Sequence, residues 1–368
     1  MKQNRLWLKW IFCLLPAVMA LLMYFILPYF PRFTEYVFVR IIFRIVAFPF
    51  EWIISILPFS LTETVVVLCV PAILTLLTIW VIRIIRRPNR KNTVEKGVRF
   101  AAWCLSLALL MFMLTDGANF SRLPVSELLK LPEKQYTAQE LYIVTSDLAS
   151  KASAARAKIK EDENGCATLS VSQSELLLIA DDCYDNLKKD YPFLITAVWR
   201  VKPVMLSRAW SYTGYTGVYC PWIPEASVNI DVPDCDLGHT AAHEIAHTMG
   251  FAKENECNFL AWLACSKSGQ IDYEYSGHLQ AFIYCSNALY DADRSLWEKS
   301  YANCSDGVMR DLRQRREYWK QFEGEVMESS QSFNDTFIKV NGVESGVLSY
   351  DEMVELVLKY YDKQDMLK

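Results

Sequence analysis

Hydrophobic residues are concentrated in three long runs within the first third of the chain. These runs occupy residues 10–30, 64–82 and 100–115. A helix needs roughly 20 consecutive apolar residues to cross a bilayer, so each run predicts a membrane-spanning helix, the third with help from its flanks. The first run is not expected to be a cleaved signal peptide, because two further apolar runs follow it.

A fourth apolar stretch, residues 37–59, is interrupted by Arg40, Arg44 and Glu51. Charged side chains inside a bilayer are unfavourable. Cytoplasmic loops carry an excess of Lys and Arg, and such residues flank the first two apolar runs; they are Lys2, Arg5, Lys9, Arg83, Arg86, Arg87, Arg90 and Lys91. Both groups of basic residues lie in the cytoplasm only if residues 37–59 do not cross the membrane. We therefore expect an amphipathic or re-entrant segment there, and residues 117–368 outside the cytoplasm.

The balance of charge changes near residue 116. Residues 1–115 hold 13 Lys and Arg against 4 Asp and Glu, whereas the rest of the chain holds 25 against 38. Phosphate binding needs a basic surface, so this acidic region argues against nucleic acid as a partner. The sequence predicts a membrane anchor over residues 1–116, with the lipid bilayer as a partner, and one domain over residues 117–368.

The pattern in that domain is mainly helical. Capping boxes that begin at Thr137 and Ser172 predict two helix starts. Residues 218–222 and 226–231 alternate around a turn that contains proline, which predicts a β-hairpin. Helices resume at Leu237. The expected fold class is mainly α, with transmembrane helices followed by a domain that has a small sheet before its central helix.

The candidate chemistry lies in that helix. His243, Glu244 and His247 form an HExxH motif. Helix positions i and i+4 share a face, so both imidazoles can bind one Zn²⁺ while Glu244 lies beside the open position as general base on a zinc-bound water. The plainer interpretation is a helix whose histidines are merely packed. His239, one turn earlier, is expected to be structural.

The third ligand must come from another residue. In metzincins the motif extends to HExxHxxGxxH, but Lys253 occupies the last position here and a protonated lysine cannot ligate. Glu254 and Glu256 both remain candidates. Glu256-Cys-Asn258 resembles the Glu-Ala-Asp of membrane-associated gluzincins, in which the glutamate ligates zinc and the aspartate supports a zinc-bound histidine. This resemblance implies Glu256 as the ligand, with Glu254 as second choice, and Asn258 as the supporting residue.

Four longer stretches carry a further resemblance: SYTGYTGVYCPWIPEASVNIDVP, HEIAHTMGFAKENECNFLAWLAC, YSGHLQAFIYCSNALY and NDTFIKVNGVESGVLSYDEMVELVLKYY. They resemble one bacterial family of membrane-anchored HExxH proteins, catalogued as a domain of unknown function (number thirty-eight ten). The resemblance implies a zincin-like metallopeptidase of the gluzincin type, in which an edge strand before the motif helix holds an extended substrate.

These features together predict a multi-pass protein of the bacterial cell membrane that is a zinc metallopeptidase. Its expected substrates are extracytoplasmic proteins or peptides. The alternative is a non-catalytic sensor or scaffold that keeps a zincin fold, and the intact Glu244 disfavours it. The domain also holds eight cysteines, an even number that permits disulfides and equally permits buried free thiols.

Overall fold

The computed structural model describes residues 6–86, 90–343 and 350–367, and its N-terminal part is a set of apolar helices. The elements are α1 (Leu6–Ile26), α2 (Pro31–Phe33), a π-helix (Thr34–Phe43), α3 (Arg44–Ser55), α4 (Leu61–Arg86) and α5 (Arg90–Thr115).

Three segments among these helices are long and apolar enough to cross a membrane: Trp7–Tyr29, Leu61–Arg86 and Arg90–Thr115. The prediction of three such helices is confirmed, and it indicates association with a membrane. The third begins ten residues earlier than its apolar run. Lys2, Arg5 and Arg87, which contribute to the predicted orientation, lie outside the described residues, and the orientation stays a prediction.

The charged apolar stretch at 37–59 forms most of the π-helix and α3. One face packs into the protein through Phe38, Val39 and Phe43, whereas Ile45 and Trp52 are exposed. The segment is therefore helical with two distinct faces, and its placement at a membrane surface stays a prediction.

The remainder of the described chain is helical with two small sheets. Its helices are α6 (Val125–Leu128), α7 (Ala138–Arg156), α8 (Gln173–Leu178), α9 (Asp185–Asp190), α10 (Ser207–Ser211), α11 (Asp234–Thr248), α12 (Glu254–Lys267), α13 (Ile271–Ala292), α14 (Arg294–Ser300), α15 (Asp306–Lys320), α16 (Glu325–Val340) and α17 (Tyr350–Lys363). The strands are β1 (Lys160–Glu161), β2 (Ala167–Thr168), β3 (Lys202–Val204), β4 (Gly217–Cys220) and β5 (Glu225–Asn229). The predicted mainly helical class is confirmed.

The sheet near the middle of the chain has the strand order β3-β5-β4. The central strand β5 runs parallel to β3 and antiparallel to β4, with Val218 opposite Ser227. The strands β4 and β5 form the predicted hairpin. The strand β4 lies at one edge of this sheet and packs, like β5, against α11.

The core is built around α11, which packs against α12 and α13 as well as against the strands β4 and β5. Buried side chains of this core include Ile245 on α11, Phe259 on α12 and Phe282 on α13. Each large apolar side chain buried in this way contributes about 2 kcal/mol to stability. The HExxH helix therefore lies inside the core rather than on the surface.

The hairpin is joined directly to the ends of two membrane-capable helices. The buried carboxylate of Glu225 accepts hydrogen bonds from the backbone N–H groups of Leu61 and Thr62, each at 2.9 Å, and so caps the N-terminus of α4. At the other helix, Thr115 Oγ1 donates to the carbonyl oxygen of Pro221 at 2.6 Å. The sheet is thereby held against both α4 and α5.

The cysteines are free thiols. All eleven are unpaired, and seven of the eight in the predicted outer domain are buried. Of the two possibilities that the cysteine count permits, the structure has the buried free thiols.

Candidate metal centre

The helix α11 places His243, Glu244 and His247 side by side. Asp234 and Asp236 occupy its first turn, where the helix dipole favours negative charge. Gly250 follows the helix with a φ of +80°, a left-handed conformation that lets the chain reverse towards α12. The prediction of a helical HExxH motif is confirmed.

The segment after α11 is held by a buried arginine. Arg122 donates to the carbonyl oxygen of Gly250 at 2.7 Å, and its guanidinium pairs with Glu35 of the π-helix at 2.9 Å. The guanidinium also lies over the ring of Phe251, 3.8 Å from its centroid. These contacts fix the turn that connects the two helices of the candidate site.

The two motif histidines face each other through their Nε2 atoms, which are 3.1 Å apart. His247 Nδ1 lies 2.8 Å from the carbonyl oxygen of Phe251. A carbonyl oxygen only accepts, so this nitrogen carries the proton and Nε2 offers its lone pair. His243 Nδ1 is similarly placed, 2.9 Å from Asn258 Oδ1. Two lone pairs in this arrangement need a proton or a metal cation between them.

Glu254 is the carboxylate that joins the histidines. Its oxygens lie 3.1 Å from His243 Nε2 and 3.8 Å from His247 Nε2. One ligand atom from each of the three residues lies within 4.8 Å of the others. Although burial raises the pKa of Glu254, its hydrogen bond to His243 and the charge of that histidine lower it to about 2. Burial lowers the pKa of His247 to about 4, which favours the neutral imidazole that binds metals.

Glu256, the expected third ligand, lies elsewhere. Its carboxylate accepts a hydrogen bond from the backbone N–H of Val125 at 3.0 Å. The physical reason is the phase of α12: residues 254 and 258 are four apart and share a face, whereas residue 256 points to the opposite side. The structure thus corrects the order of the two candidates and brings Glu254, the second choice, to the histidines.

Asn258 lies where the resemblance placed it, with its side-chain oxygen against a motif histidine. A partner on Nδ1 fixes both the tautomer and the orientation of a ligating imidazole. The corresponding partner of His247 is a backbone carbonyl, which no residue type in the sequence reveals. His239 does not join the group: its Nε2 lies 3.3 Å from the carbonyl oxygen of Asn258, and burial lowers its pKa to about 3.

The general-base candidate Glu244 is buried beside this group, with 3% of its surface exposed. Its Oε2 atom has no hydrogen-bond partner among the described residues. Burial raises its pKa to about 8, with a further increase from the charge of Glu254 that the charge of His243 opposes. Glu256 also has a buried oxygen of this kind, so it is the position of Glu244 beside the two histidines that makes it the general-base candidate.

The donor set fits a metal ion. Two imidazole nitrogens and one carboxylate are the three protein ligands of one type of catalytic zinc site, which leaves a further position open. The buried and unpartnered oxygen of Glu244 lies next to this group, as a base that acts on the open position requires.

A family model described as "Protein of unknown function (DUF3810)" matches residues 38–358. The chain belongs to this family. The matched range includes the candidate metal centre, the hairpin and the membrane-capable helices α4 and α5. A single family model therefore covers all of these parts. No curated protein and no solved structure matches the chain.

In this DUF3810 protein, two neighbours of the motif were not expected from the sequence. Asp116, the residue after α5, is buried close enough to Glu254 for their charges to interact, and burial followed by that charge raises its pKa to about 8. Gly217 of β4 lies so close to Glu244 that a Cβ on this glycine would overlap Oε1. Neither residue belongs to a motif, and both reach the site only through tertiary contacts.

The strand β4 forms one wall of the DUF3810 site. The ring of Tyr219 stacks on that of His247, with centroids 6.2 Å apart and an interplanar angle of 16°. Its hydroxyl points away to the carbonyl oxygen of Thr115 at 3.5 Å. Gly217 and Tyr219 therefore both face α11, and the wall of the site continues directly into the end of α5.

Proposed function

We propose that this protein is a membrane-anchored zinc metallopeptidase that hydrolyses peptide bonds in extracytoplasmic proteins or peptides. The observation that supports it most is the convergence of His243, His247 and Glu254 beside the buried carboxylate of Glu244, whose Oε2 atom has no hydrogen-bond partner among the described residues. The positive charges that flank the first two apolar runs support the outward orientation of the domain.

The three converging residues would hold the metal. When bound, zinc is a Lewis acid that makes water more acidic and polarises the scissile carbonyl group. Glu244 accepts the proton of the attacking water and passes it to the leaving amine. Burial raises the pKa of Glu244 to about 8, and a cation held by the neighbouring ligands would lower it again, because the cation stabilises the ionised form that accepts a proton. Asn258 and the carbonyl oxygen of Phe251 keep the two imidazoles in the ligating tautomer.

The edge strand β4 suits the binding of an extended peptide. Within the part of the chain that the structure describes, only one of its edges is paired, with β5. A peptide that adds to the other edge gains backbone hydrogen bonds without regard to its sequence. Gly217 and Tyr219 of this strand adjoin Glu244 and His247, so such a peptide would pass beside the candidate metal ligands.

The test uses the full chain in detergent or nanodiscs, loaded with Zn²⁺ and incubated with a fluorescent, unfolded protein substrate. We expect Glu244→Gln to retain zinc and to lose hydrolysis by at least about 100-fold, because the general base is removed. Glu256→Gln is the matched control, since Glu256 is another buried glutamate, outside the ligand group, with one oxygen that has no partner in the described part of the chain.

Full hydrolysis by Glu244→Gln would contradict this mechanism. Zinc at one ion per chain without hydrolysis in any variant would instead favour the non-catalytic sensor or scaffold. Absence of zinc from the parent protein after zinc is offered would contradict the metal centre itself.

A further inference from the structure

The hairpin turn reaches past the end of α5. Trp222, between β4 and β5, donates from its indole Nε1 to the carbonyl oxygen of Ala108 at 3.0 Å, and its ring centroid lies 6.2 Å from that of Phe112. Ala108 lies seven residues before Thr115, the last residue of α5, which is about 10 Å of helix at 1.5 Å per residue. Trp222 is nevertheless 55% exposed. A residue of the domain therefore lies beside the apolar part of α5 with much of its surface uncovered.

The C-terminal half of α16 contacts the same group of helices. Phe337 makes an edge contact with Phe112 of α5, with ring centroids 6.0 Å apart. The hydroxyl of Tyr24 in α1 donates to the carbonyl oxygen of Val340 at 2.6 Å. Both contacted residues belong to segments that are long and apolar enough to cross a membrane. The end of α16 therefore lies against α1 and α5 at positions inside these two segments.

The exposed apolar residues of α16 share one face of the helix, within about 60° of its circumference at 3.6 residues per turn. They are Val326, Phe333, Phe337 and Val340. Asp335 and Lys339, which pair with each other at 2.7 Å, lie on the opposite side. Because Phe337 belongs to the apolar face and also contacts Phe112, this face is continuous with the surface of α5.

The composition of α5 determines which part of it a bilayer would surround. Residues 90–99 include five charged side chains, which are unfavourable in hydrocarbon. A hydrocarbon core about 30 Å thick must therefore enclose the apolar run at 100–115, which is about 24 Å of helix. Ala108 lies in the middle of this run, and Phe112 follows one turn later. In a bilayer that α5 crosses, the exposed surface of side chains that contact these two residues faces lipid rather than water.

We propose that Trp222, Phe333, Phe337 and Val340 form a lipid patch, which inserts into the hydrocarbon of the bilayer beside α1 and α5. The domain is then seated on the membrane by its own side chains as well as by the membrane-capable helices. The patch has no charged residue, and tryptophan and phenylalanine are typical of protein surfaces that enter the boundary between headgroups and acyl chains. The proposal rests on α5 lying in a bilayer and does not depend on the peptidase function.

The test uses the full chain in nanodiscs of phosphatidylethanolamine and phosphatidylglycerol. Trp222→p-benzoylphenylalanine and Val340→p-benzoylphenylalanine, made separately, place a photoreactive ketone in each part of the lipid patch. On irradiation the ketone joins to a C–H bond that it contacts, and mass measurement of the intact protein detects an added phospholipid. We expect a mass increase of one phospholipid in both variants.

Two further positions calibrate the measurement. Leu105→p-benzoylphenylalanine is the reference for lipid contact, since Leu105 is an exposed residue in the apolar run of α5. Tyr290→p-benzoylphenylalanine is the matched control, because Tyr290 is an exposed aromatic residue on α13. We expect the adduct at Leu105 and none at Tyr290. Val340 bonds to Tyr24 through its backbone, so its replacement keeps that bond and protects the test if the Trp222 variant fails to fold.

Lipid adducts at Leu105 without adducts at Trp222 and Val340 overturn the lipid patch and leave α5 in the bilayer. Absence of the adduct at Leu105 as well overturns the insertion of α5 and the patch with it. A crosslink from Val340 to a second copy of the chain would assign this surface to self-association, and it too overturns the lipid contact. None of these outcomes depends on hydrolysis, so the peptidase proposal is tested separately.

Discussion

Asn258 Oδ1 lies 2.9 Å from His243 Nδ1, so a residue of α12 sets the orientation of an imidazole on α11. The pairing requires the carbonyl oxygen of the side chain to face the ring, because the ring nitrogen donates. It directs the lone pair of Nε2 towards His247 and Glu254. The side chain of Asn258 thus determines whether the candidate ligands converge.

The first prediction concerns this pair. Asn258→Ala should weaken zinc binding by about 10-fold to 100-fold, because a ligating histidine loses the partner that fixes its tautomer. Competition with a chelator of known affinity measures the effect. Asn258→Asp retains an acceptor oxygen and should restore most of the affinity, and an Asn258→Ala protein with parent-like affinity would refute the role.

The second prediction separates the two glutamates. Glu254→Ala should reduce zinc affinity by about 100-fold, as expected for the loss of a ligand. Glu256→Ala should keep the metal but destabilise the protein by about 1–3 kcal/mol, since it leaves the N–H of Val125 unpaired and buried. Elemental analysis and thermal unfolding distinguish the two variants, and the reverse pattern would restore Glu256 as the ligand.

The third prediction concerns Gly217. An alanine there has its Cβ where Glu244 Oε1 lies, so the carboxylate must shift. A displacement of about 1 Å can lower a rate by about 100-fold. Gly217→Ala should therefore reduce hydrolysis by that order while zinc affinity stays unchanged. Val218→Ala, the next residue of β4, is the control, and equal activity of the two variants would contradict the close approach.

The fourth prediction is a dependence of stability on pH. Lys202 of β3 is buried, and its ammonium donates to the carbonyl oxygens of Ser55 and Leu57. Burial lowers its pKa to about 8, opposed by the charge of Glu225. A lysine whose folded pKa lies below its unfolded value, about 10.4, binds fewer protons when folded, so stability rises with pH between those two values.

Replacement of Lys202 by Met should abolish this increase between about pH 8 and 10.4. Chemical denaturation of both proteins at several pH values, in the same detergent, measures it. A parallel increase in the parent and in Lys202→Met would assign the dependence to other groups.

Features that depend on local sequence were predicted correctly. The capping boxes at Thr137 and Ser172 are present with both reciprocal hydrogen bonds, because four consecutive residues determine them. The HExxH helix and the hairpin follow from short-range periodicity in the same way. The start of α5 at Arg90 was missed, because residues 90–99 are mostly polar and the prediction relied on the apolar run alone.

The parts of the site that were missed depend on relations between elements. The choice between Glu254 and Glu256 requires the rotation of α12 relative to α11, which neither segment encodes alone. The proximity of Asp116 to Glu254 depends on how the end of α5 meets the domain. The carbonyl oxygen of Phe251 is a backbone atom, and its position comes from the turn at Gly250.

Glu225 caps α4, and Thr115 at the end of α5 bonds to Pro221. These contacts fix the position of the hairpin at the ends of both helices. If these helices cross a membrane, the metal centre cannot approach or leave the lipid surface independently of them. Under the proposed function, cleavage of a substrate anchored in the same bilayer would then depend on the number of residues between its anchor and the scissile bond, and less on the side chains next to that bond.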